Sequence, residues 1–332
     1  MTHGGYMTNP YLYSDTNKRY YTFDYYTRHR FGGKCAKAPL DIGCTCPNKD
    51  GTCGTGGCIY CLDGSRSAVG ETVAEQYRSA VAVAERKWKN LGGMIPYFQS
   101  GTNTYGDLRI LRQAWESAAS MEGAVMLGIG TRADCLGEDV LEALAAVSEK
   151  IPVMVELGLQ TIHDRTAVTI RRGYDRAVFE DGYTRLKKMA DTLNGPCRKG
   201  CGRLSVGIHL INGLPGEDRK AMLETARAAA EMEPDLVKIH LLHVLEGTKL
   251  AALYRAGEYT PMERDEYCEI VCRQLEILPE DTIIGRITGD GMADVLLAPQ
   301  WSRRKTDVAN TIDKMQAKED TWQGKYRMKN AE

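Results

Sequence analysis

Between about residues 34 and 242, short apolar runs alternate with longer stretches in which apolar residues recur every three or four positions. The short runs, at 35–41, 94–99, 124–130, 153–160, 204–210 and 236–242, have the length and composition of strands. The longer stretches, at 71–89, 108–120, 139–150, 177–192 and 219–232, have helical spacing. In the first of them Val73, Tyr77, Ala80, Val81 and Ala84 fall on one face. Strand followed by helix, repeated, predicts a parallel sheet with helices packed outside it. Six such units are too few for a complete eight-stranded barrel. The expected fold class is therefore α/β: a six-stranded (βα)6 partial TIM-type barrel over 34–245. Residues 1–33 are expected to pack on this core. From 246 to 332 the alternation fades into a small C-terminal α/β extension, with helical runs at 250–255 and 262–276 and a strand at 282–287. From Trp301 onward the tail reads as polar.

Composition narrows the class without naming a chemistry. A 332-residue chain that is 43% hydrophobic can bury a sizeable core. A formal net charge of −1 gives no global attraction to nucleic acid. No apolar run is long enough for a membrane span, and the polar, tyrosine-rich N-terminus does not resemble a signal peptide. Eleven cysteines without a secretion signal point to a reducing, cytoplasmic compartment, where thiols bind metal or stay free.

The candidate chemistry starts in the run CPNKDGTCGTGGCIYC, which holds Cys46, Cys58 and Cys61 and follows the first strand. In parallel α/β folds the loops after strand ends carry the active site. Gly51, Gly54, Gly56 and Gly57 let backbone amides come close to a ligand, and Tyr60 lies between the last two cysteines. Three thiolates leave a 4Fe–4S cluster one ligand short, because a purely structural or electron-transfer cluster takes four. The open iron is then a place for a small molecule, as the vacant position is at catalytic zinc. Zinc is the other reading of this loop, since Cys44 or Cys53 could complete a four-thiolate tetrahedron.

Each later strand ends in polar residues. Gln99, Thr102 and Asn103 follow the second strand, and Thr131, Arg132 and Asp134 the third, after Gly128 and Gly130. On the fourth, Glu156, Gly158 and Gln160 share one face by alternation, and a buried carboxylate there needs a partner. Arg172, with Arg171 as the alternative, lies twelve residues past Gln160. His209 is on the fifth strand, before a GLPGE turn; His240 and His243 are on the sixth. His209 and His243 are candidates for acting on a substrate, because imidazole titrates near neutral pH. Cys197 with Cys201, and Cys268 with Cys272, read as structural or incidental, with metal binding as the other reading.

The cysteine loop and the KAPLDIG before it resemble the radical S-adenosylmethionine (SAM) superfamily. More narrowly, they resemble its Elongator-catalytic-subunit-like group and the YhcC/YtqA (MnmL-type) branch within it. That branch spaces its cysteines C-x11-C-x2-C, as Cys46, Cys58 and Cys61 are spaced, where the wider superfamily uses C-x3-C-x2-C. The likeness runs from YYTFDYYTRHRFG to DTWQGKY. It implies a 4Fe–4S cluster on these three cysteines, with Cys44 and Cys53 as extras, and SAM as the second cofactor. It also implies SAM contacts from Gln99, Thr102, Asn103, Thr131, Glu156, Gln160, Arg172 and His209, with arginine on the SAM carboxylate. Two departures stand out: QSGTNTYGD replaces a glycine-glycine-glutamate motif, and His209 stands where some relatives carry aspartate.

The resemblance further implies a tRNA substrate, with the wobble uridine's 5-carboxymethylaminomethyl group converted to 5-aminomethyl. The partners implied are tRNA, a reducing donor such as flavodoxin or ferredoxin, and a downstream methyltransferase. The residues themselves add Arg28, His29 and Arg30 beside N-terminal tyrosines, and eight Lys/Arg against five Asp/Glu over 301–332. Two alternatives are a radical SAM enzyme acting on a small molecule or protein, and a non-catalytic zinc- or cluster-binding module that grips RNA.

Overall fold

The computed structural model describes residues 11–62, 71–289 and 294–328. Its strands are β1 (Cys35–Leu40), β2 (Gly93–Phe98), β3 (Leu127–Thr131), β4 (Val153–Gln160), β5 (Leu204–Asn212), β6 (Leu236–Leu241), β7 (Val244–Leu245), β8 (Ile283–Arg286) and β9 (Leu296–Ala298). The helices are α1 (Phe23–Phe31), α2 (Val73–Lys87), α3 (Leu108–Ala119), α4 (Glu138–Ser148), α5 (Asp164–Thr169), α6 (Arg176–Asn194), α7 (Arg219–Glu231), α8 (Lys249–Arg255), α9 (Arg264–Ile277) and α10 (Lys305–Lys318).

One parallel sheet of order β1-β2-β3-β4-β5-β6-β8 curls into an open half-barrel. It has seven strands, not the six expected. The run at 282–287 does not stand apart in the C-terminal extension: Ile283 and Ile284 pair with Leu236 and Val237 and cover the open edge of β6. Two helices and β7 come between β6 and β8, so the strand–helix rhythm that marked the earlier units is lost there. The chain beyond residue 246 also shares the main core, since Tyr267, Val271, Leu275, Val308 and Ile312 pack in one cluster with the outer face of the sheet. The polar tail contains a real helix, α10, whose Val308 and Ile312 are fully buried.

Local sequence accounts for the helix starts. Thr72 and Glu75 form a reciprocal capping box on α2, and the side chains of Asp175, Asp218 and Thr248 cap α6, α7 and α8. The N-terminal segment closes the foot of the half-barrel. Ile284 donates its backbone N–H to the Tyr21 carbonyl, and Thr22 bridges β8 before α1 leads across to β1. Tyr21 and Tyr26 then pack against Cys35, Ile95, Met126, Met154, Leu236 and Ile283 on the inner side of the strands. Among the described residues no helix is long and apolar enough to cross a membrane.

Candidate active site

The cysteine loop leaves the top of β1, folds on itself and is tied to three other parts of the structure. Gly57 donates to the Asn48 carbonyl, Ile59 to that of Ile170 at the end of α5, and Leu250 at the start of α8 to that of Ile59. Thr102, after β2, donates to the Thr45 carbonyl. Gly101 permits that approach: a Cβ there would lie 2.0 Å from the Cys44 carbonyl oxygen. Beneath the Cys58–Cys61 turn, Ile59, Ile170, Leu214, Leu242, Val244 and Leu250 form a second apolar cluster. The loop is therefore built on a rigid base, as a precise site requires.

The three cysteines are half-buried and drawn into one electrostatic neighbourhood. Cys61 donates its backbone N–H to the Cys58 carbonyl, and the two thiols hydrogen-bond. That bond draws the Cys58 thiol down to about 6 against the effect of burial, with Tyr60, Arg132 and Asn48 acting the same way. Asn48 Nδ2 is 3.7 Å from the Cys58 sulfur and also donates to the Arg171 carbonyl at 2.6 Å. The thiol–thiol bond, together with burial, pushes the Cys61 thiol up, so the pair favours a single thiolate at Cys58, the form that binds metal. Cys53 is exposed and takes Arg132 Nη2 at 3.7 Å. Among the described residues no three His, Cys, Asp or Glu side chains converge on one metal-ion position.

Around this loop the strand ends leave three buried polar atoms without hydrogen-bond partners: Asn103 Oδ1, Gln160 Oε1 and Arg172 Nη2, the last of them 4.0 Å from the Asp164 carboxylate. Two acceptors and a cationic donor match the amine and carboxylate of an amino-acid moiety. Asn103 is held by its Nδ2, which donates to the Gly130 carbonyl at 2.9 Å. Gln160 has φ of 58° and folds back so that its amide fills the space a Cβ on Gly158 would need. Gln99 is exposed at the top of β2, Thr102 is buried beside the cysteine loop, and the hydroxyls of Thr104 and Thr131 meet at 2.5 Å.

Arg172 is fully buried, and most of its donors go to main chain: Nε to the Tyr174 carbonyl at 3.0 Å, Nη1 to those of Leu159 and Thr161. It clamps the end of β4, leaving only Nη2 for a ligand. Arg132 pairs with Asp134 at 2.7 Å and donates Nη1 to the Arg172 carbonyl at 2.9 Å. Tyr174, which the sequence reading passed over, is contacted by both guanidinium groups at 4.7 and 4.6 Å.

Glu156 has protein partners. Its carboxylate pairs with Lys238 and accepts from Tyr97 at 2.8 Å; His209 Nε2 lies at 2.5 Å and Lys37 Nζ at 3.8 Å. Burial alone would raise its pKa, but Lys238, followed by Lys37 and His209, holds the carboxyl well below the usual range. This network crosses the half-barrel from β1 to β6. Glycines on the inner side make room for it: a Cβ on Gly128 would strike the Tyr97 ring at 2.3 Å, and one on Gly207 would press on Glu156 at 3.2 Å. Tyr97 and Lys238 could have been found from alternation alone, since each lies two residues from another position of the same strand face. His209 is lowered by burial and by Lys238, so its ring is neutral near pH 7. His243 lies beyond β6 and is brought down to about 4 by burial, with Lys305 and Arg286 adding to it; its Nε2 has no partner.

Residues 234–318 match the Radical_SAM C-terminal domain. The uncharacterised protein YtqA of Bacillus subtilis is 40% identical over 322 residues, covering 96% of each chain. A tRNA uridine(34) acetyltransferase of Methanocaldococcus jannaschii is 31% identical over 176 residues, 52% of this chain and 30% of that protein. Among solved structures, the Elp3 of Methanocaldococcus infernus, with its N-terminus deleted, superposes with a TM-score of 0.65 at 19% identity. The match covers 87% of this chain and 64% of the Elp3 chain, and it shows a shared fold.

Proposed function

This chain belongs to the YhcC/YtqA branch of the Elongator-like radical SAM proteins, and we propose that it reductively cleaves SAM to act on the wobble uridine of tRNA. The change proposed is conversion of a 5-carboxymethylaminomethyl group to 5-aminomethyl. The observation that carries the reading is the C-x11-C-x2-C loop, anchored at the top of β1 against the polar ends of β2, β3 and β4. The similar tRNA uridine(34) acetyltransferase supports a tRNA substrate.

Cys46, Cys58 and Cys61 would hold a 4Fe–4S cluster, which with bound SAM supplies a 5′-deoxyadenosyl radical for hydrogen abstraction beside the substrate amine. The chain's own part is to bind and orient. Asn103 and Gln160 offer acceptors to the SAM amine, and Arg172 Nη2 offers a donor to its carboxylate. Thr102 and Thr131 line the same strand ends, and the Glu156 network braces the wall behind them. Neutral His209 holds its Nε2 against the Glu156 carboxylate, which leaves Nδ1 as its nitrogen for a proton exchanged with substrate. An electron donor of the flavodoxin or ferredoxin kind would feed the cluster, and a methyltransferase would consume the aminomethyl product.

Anaerobically purified protein should be brown, contain iron and labile sulfide, and form 5′-deoxyadenosine under reduction. Alanine at Cys46, Cys58 or Cys61 should abolish that product, while Cys53→Ala retains it. A colourless zinc protein that leaves SAM intact overturns the proposal. Mass spectrometry of tRNA nucleosides from a deletion strain tests the substrate: unchanged wobble uridines would refute it.

A further inference from the structure

Two histidines near the mouth take no part in the site described so far. His240 lies on the inner face of β6, where it alternates with Leu236 and Lys238, and its ring centre is 5.1 Å from that of His209. His243 follows β6 and is held against the segment after β8: a Cβ on Gly289 would lie 2.6 Å from its Cε1 and 3.1 Å from its Nδ1. The same segment carries Thr288, which is 8% exposed. Its path is fixed one residue earlier, where the Tyr267 hydroxyl donates to the Ile287 carbonyl at 2.9 Å. Both rings lie within electrostatic reach of Arg286 of β8.

Among the described residues, His240 Nε2, His243 Nε2 and Thr288 Oγ1 are buried and have no hydrogen-bond partner. A buried polar atom without a partner is costly, and three of them at the ends of two paired strands call for a common partner. They stand on the other half of the mouth from Asn103, Gln160 and Arg172, which follow or end β2 and β4. The mouth therefore holds two sets of unsatisfied polar atoms, and the cofactor reading uses one of them.

The second set is uncharged. Burial, followed by His209, Arg286 and Lys238, holds His240 well below the usual imidazole range, and burial with Lys305 and Arg286 brings His243 down to about 4. At neutral pH each ring offers one N–H and one lone pair, and the threonine hydroxyl both gives and accepts. Neutral atoms that donate and accept side by side match a planar imide, in which one N–H stands between two carbonyl oxygens. Uracil presents that edge, whereas cytosine presents a lone pair and an amine in its place. Unstacked RNA bases are read on this edge.

We propose that His240, His243 and Thr288 form a second subsite of the mouth, which reads the imide edge of the substrate's uracil ring. The proposal rests on the wobble-uridine reading and adds to it the residues that tell uracil from cytosine. His209, beside His240, would lie next to the same ring.

Two fluorescent anticodon stem-loops, alike except for uridine or cytidine at the wobble position, test it. Each is titrated with the anaerobically purified protein and followed by anisotropy. Wild type should bind the uridine form more tightly. Thr288→Val removes the hydroxyl and keeps the shape, and should reduce that preference about three- to tenfold, the worth of one hydrogen bond. His243→Leu should reduce it by a similar factor. Thr288→Ser keeps the hydroxyl and should keep the preference. SAM affinity, measured by equilibrium dialysis, should be unchanged in all three, since the atoms assigned to SAM lie on other strand ends. If Thr288→Val and His243→Leu keep the full preference, or lose SAM affinity along with it, the subsite is refuted and the tRNA reading stands. The same holds if wild type binds both stem-loops equally. If wild type binds neither stem-loop even at low salt, both readings fall.

Discussion

The two faces of β4 carry opposite kinds of residue. Its outward residues Val153, Val155, Leu157 and Leu159 are buried among the helices and carry no polar group. Its inward residues are Met154, Glu156, Gly158 and Gln160, and among them lie a fully paired carboxylate, a space-making glycine and an amide with an unpartnered oxygen. The outer face is held by burial, which is non-directional and tolerant of exchange. The inner face is held by charge and hydrogen bonds at low dielectric, where each member depends on the others. One strand thus serves as both scaffold and site because its side chains alternate.

Substitutions on this strand and beside it should separate the two regimes. The largest effect is expected for Glu156→Ala, which strands the Lys238 ammonium in the interior and should cost about 3–5 kcal/mol in chemical denaturation. Combining Glu156→Leu with Lys238→Met should recover most of that loss, because neither charge is then left alone. Leu157→Ala on the outer face should cost about 2–5 kcal/mol through its cavity, with no rescue by any charge change. Equal losses in the single and double Glu156 variants would break the contrast.

A smaller effect is expected for Gly128→Ala, where the new methyl meets the Tyr97 ring. About 1–3 kcal/mol should be lost as the ring moves off the carboxylate. An effect of similar size, confined to acid pH, is expected from His243. Its ring titrates at about 4 in the fold, against about 6.5 in the unfolded chain, so the fold accommodates the neutral ring. Its contribution is complete above pH 6.5 and is lost as pH falls from there towards 4, because the unfolded state binds the proton first. His243→Gln should flatten that part of the melting-temperature profile; an unchanged slope would place the titration elsewhere.

Much of the scaffold could be read from periodicity. The fourth strand runs from 153 to 160 in both the sequence reading and the structure, and helices α2, α3, α4, α6 and α7 lie where the spacing put them. The errors have local causes. The seventh strand, IIGR, lies inside the run expected as a strand at 282–287, but two helices precede it, so no strand–helix alternation ties it to the main sheet. Helix α10 looked like a polar tail because its apolar stripe is narrow, although Val308, Ile312 and Met315 keep the helical interval. The aromatic helix α1 has a readable start in Thr22 and a readable stop in Gly32, and both were passed over.

The site was legible to a different depth. Spacing singled out Cys46, Cys58 and Cys61 as candidates, because residues of one short loop need no fold to bring them together. The polar strand ends were visible as a set, since every such end in a parallel sheet faces the same mouth. Sequence could not say which polar groups satisfy each other. Glu156 finds Lys238, Tyr97 and His209 on three other strands, and Arg172 spends most of its donors on backbone carbonyls. Local pattern is set by neighbours along the chain, and the sequence determined it. Pairing across the half-barrel depends on strand register and on which glycines leave room, and only the tertiary structure decided that.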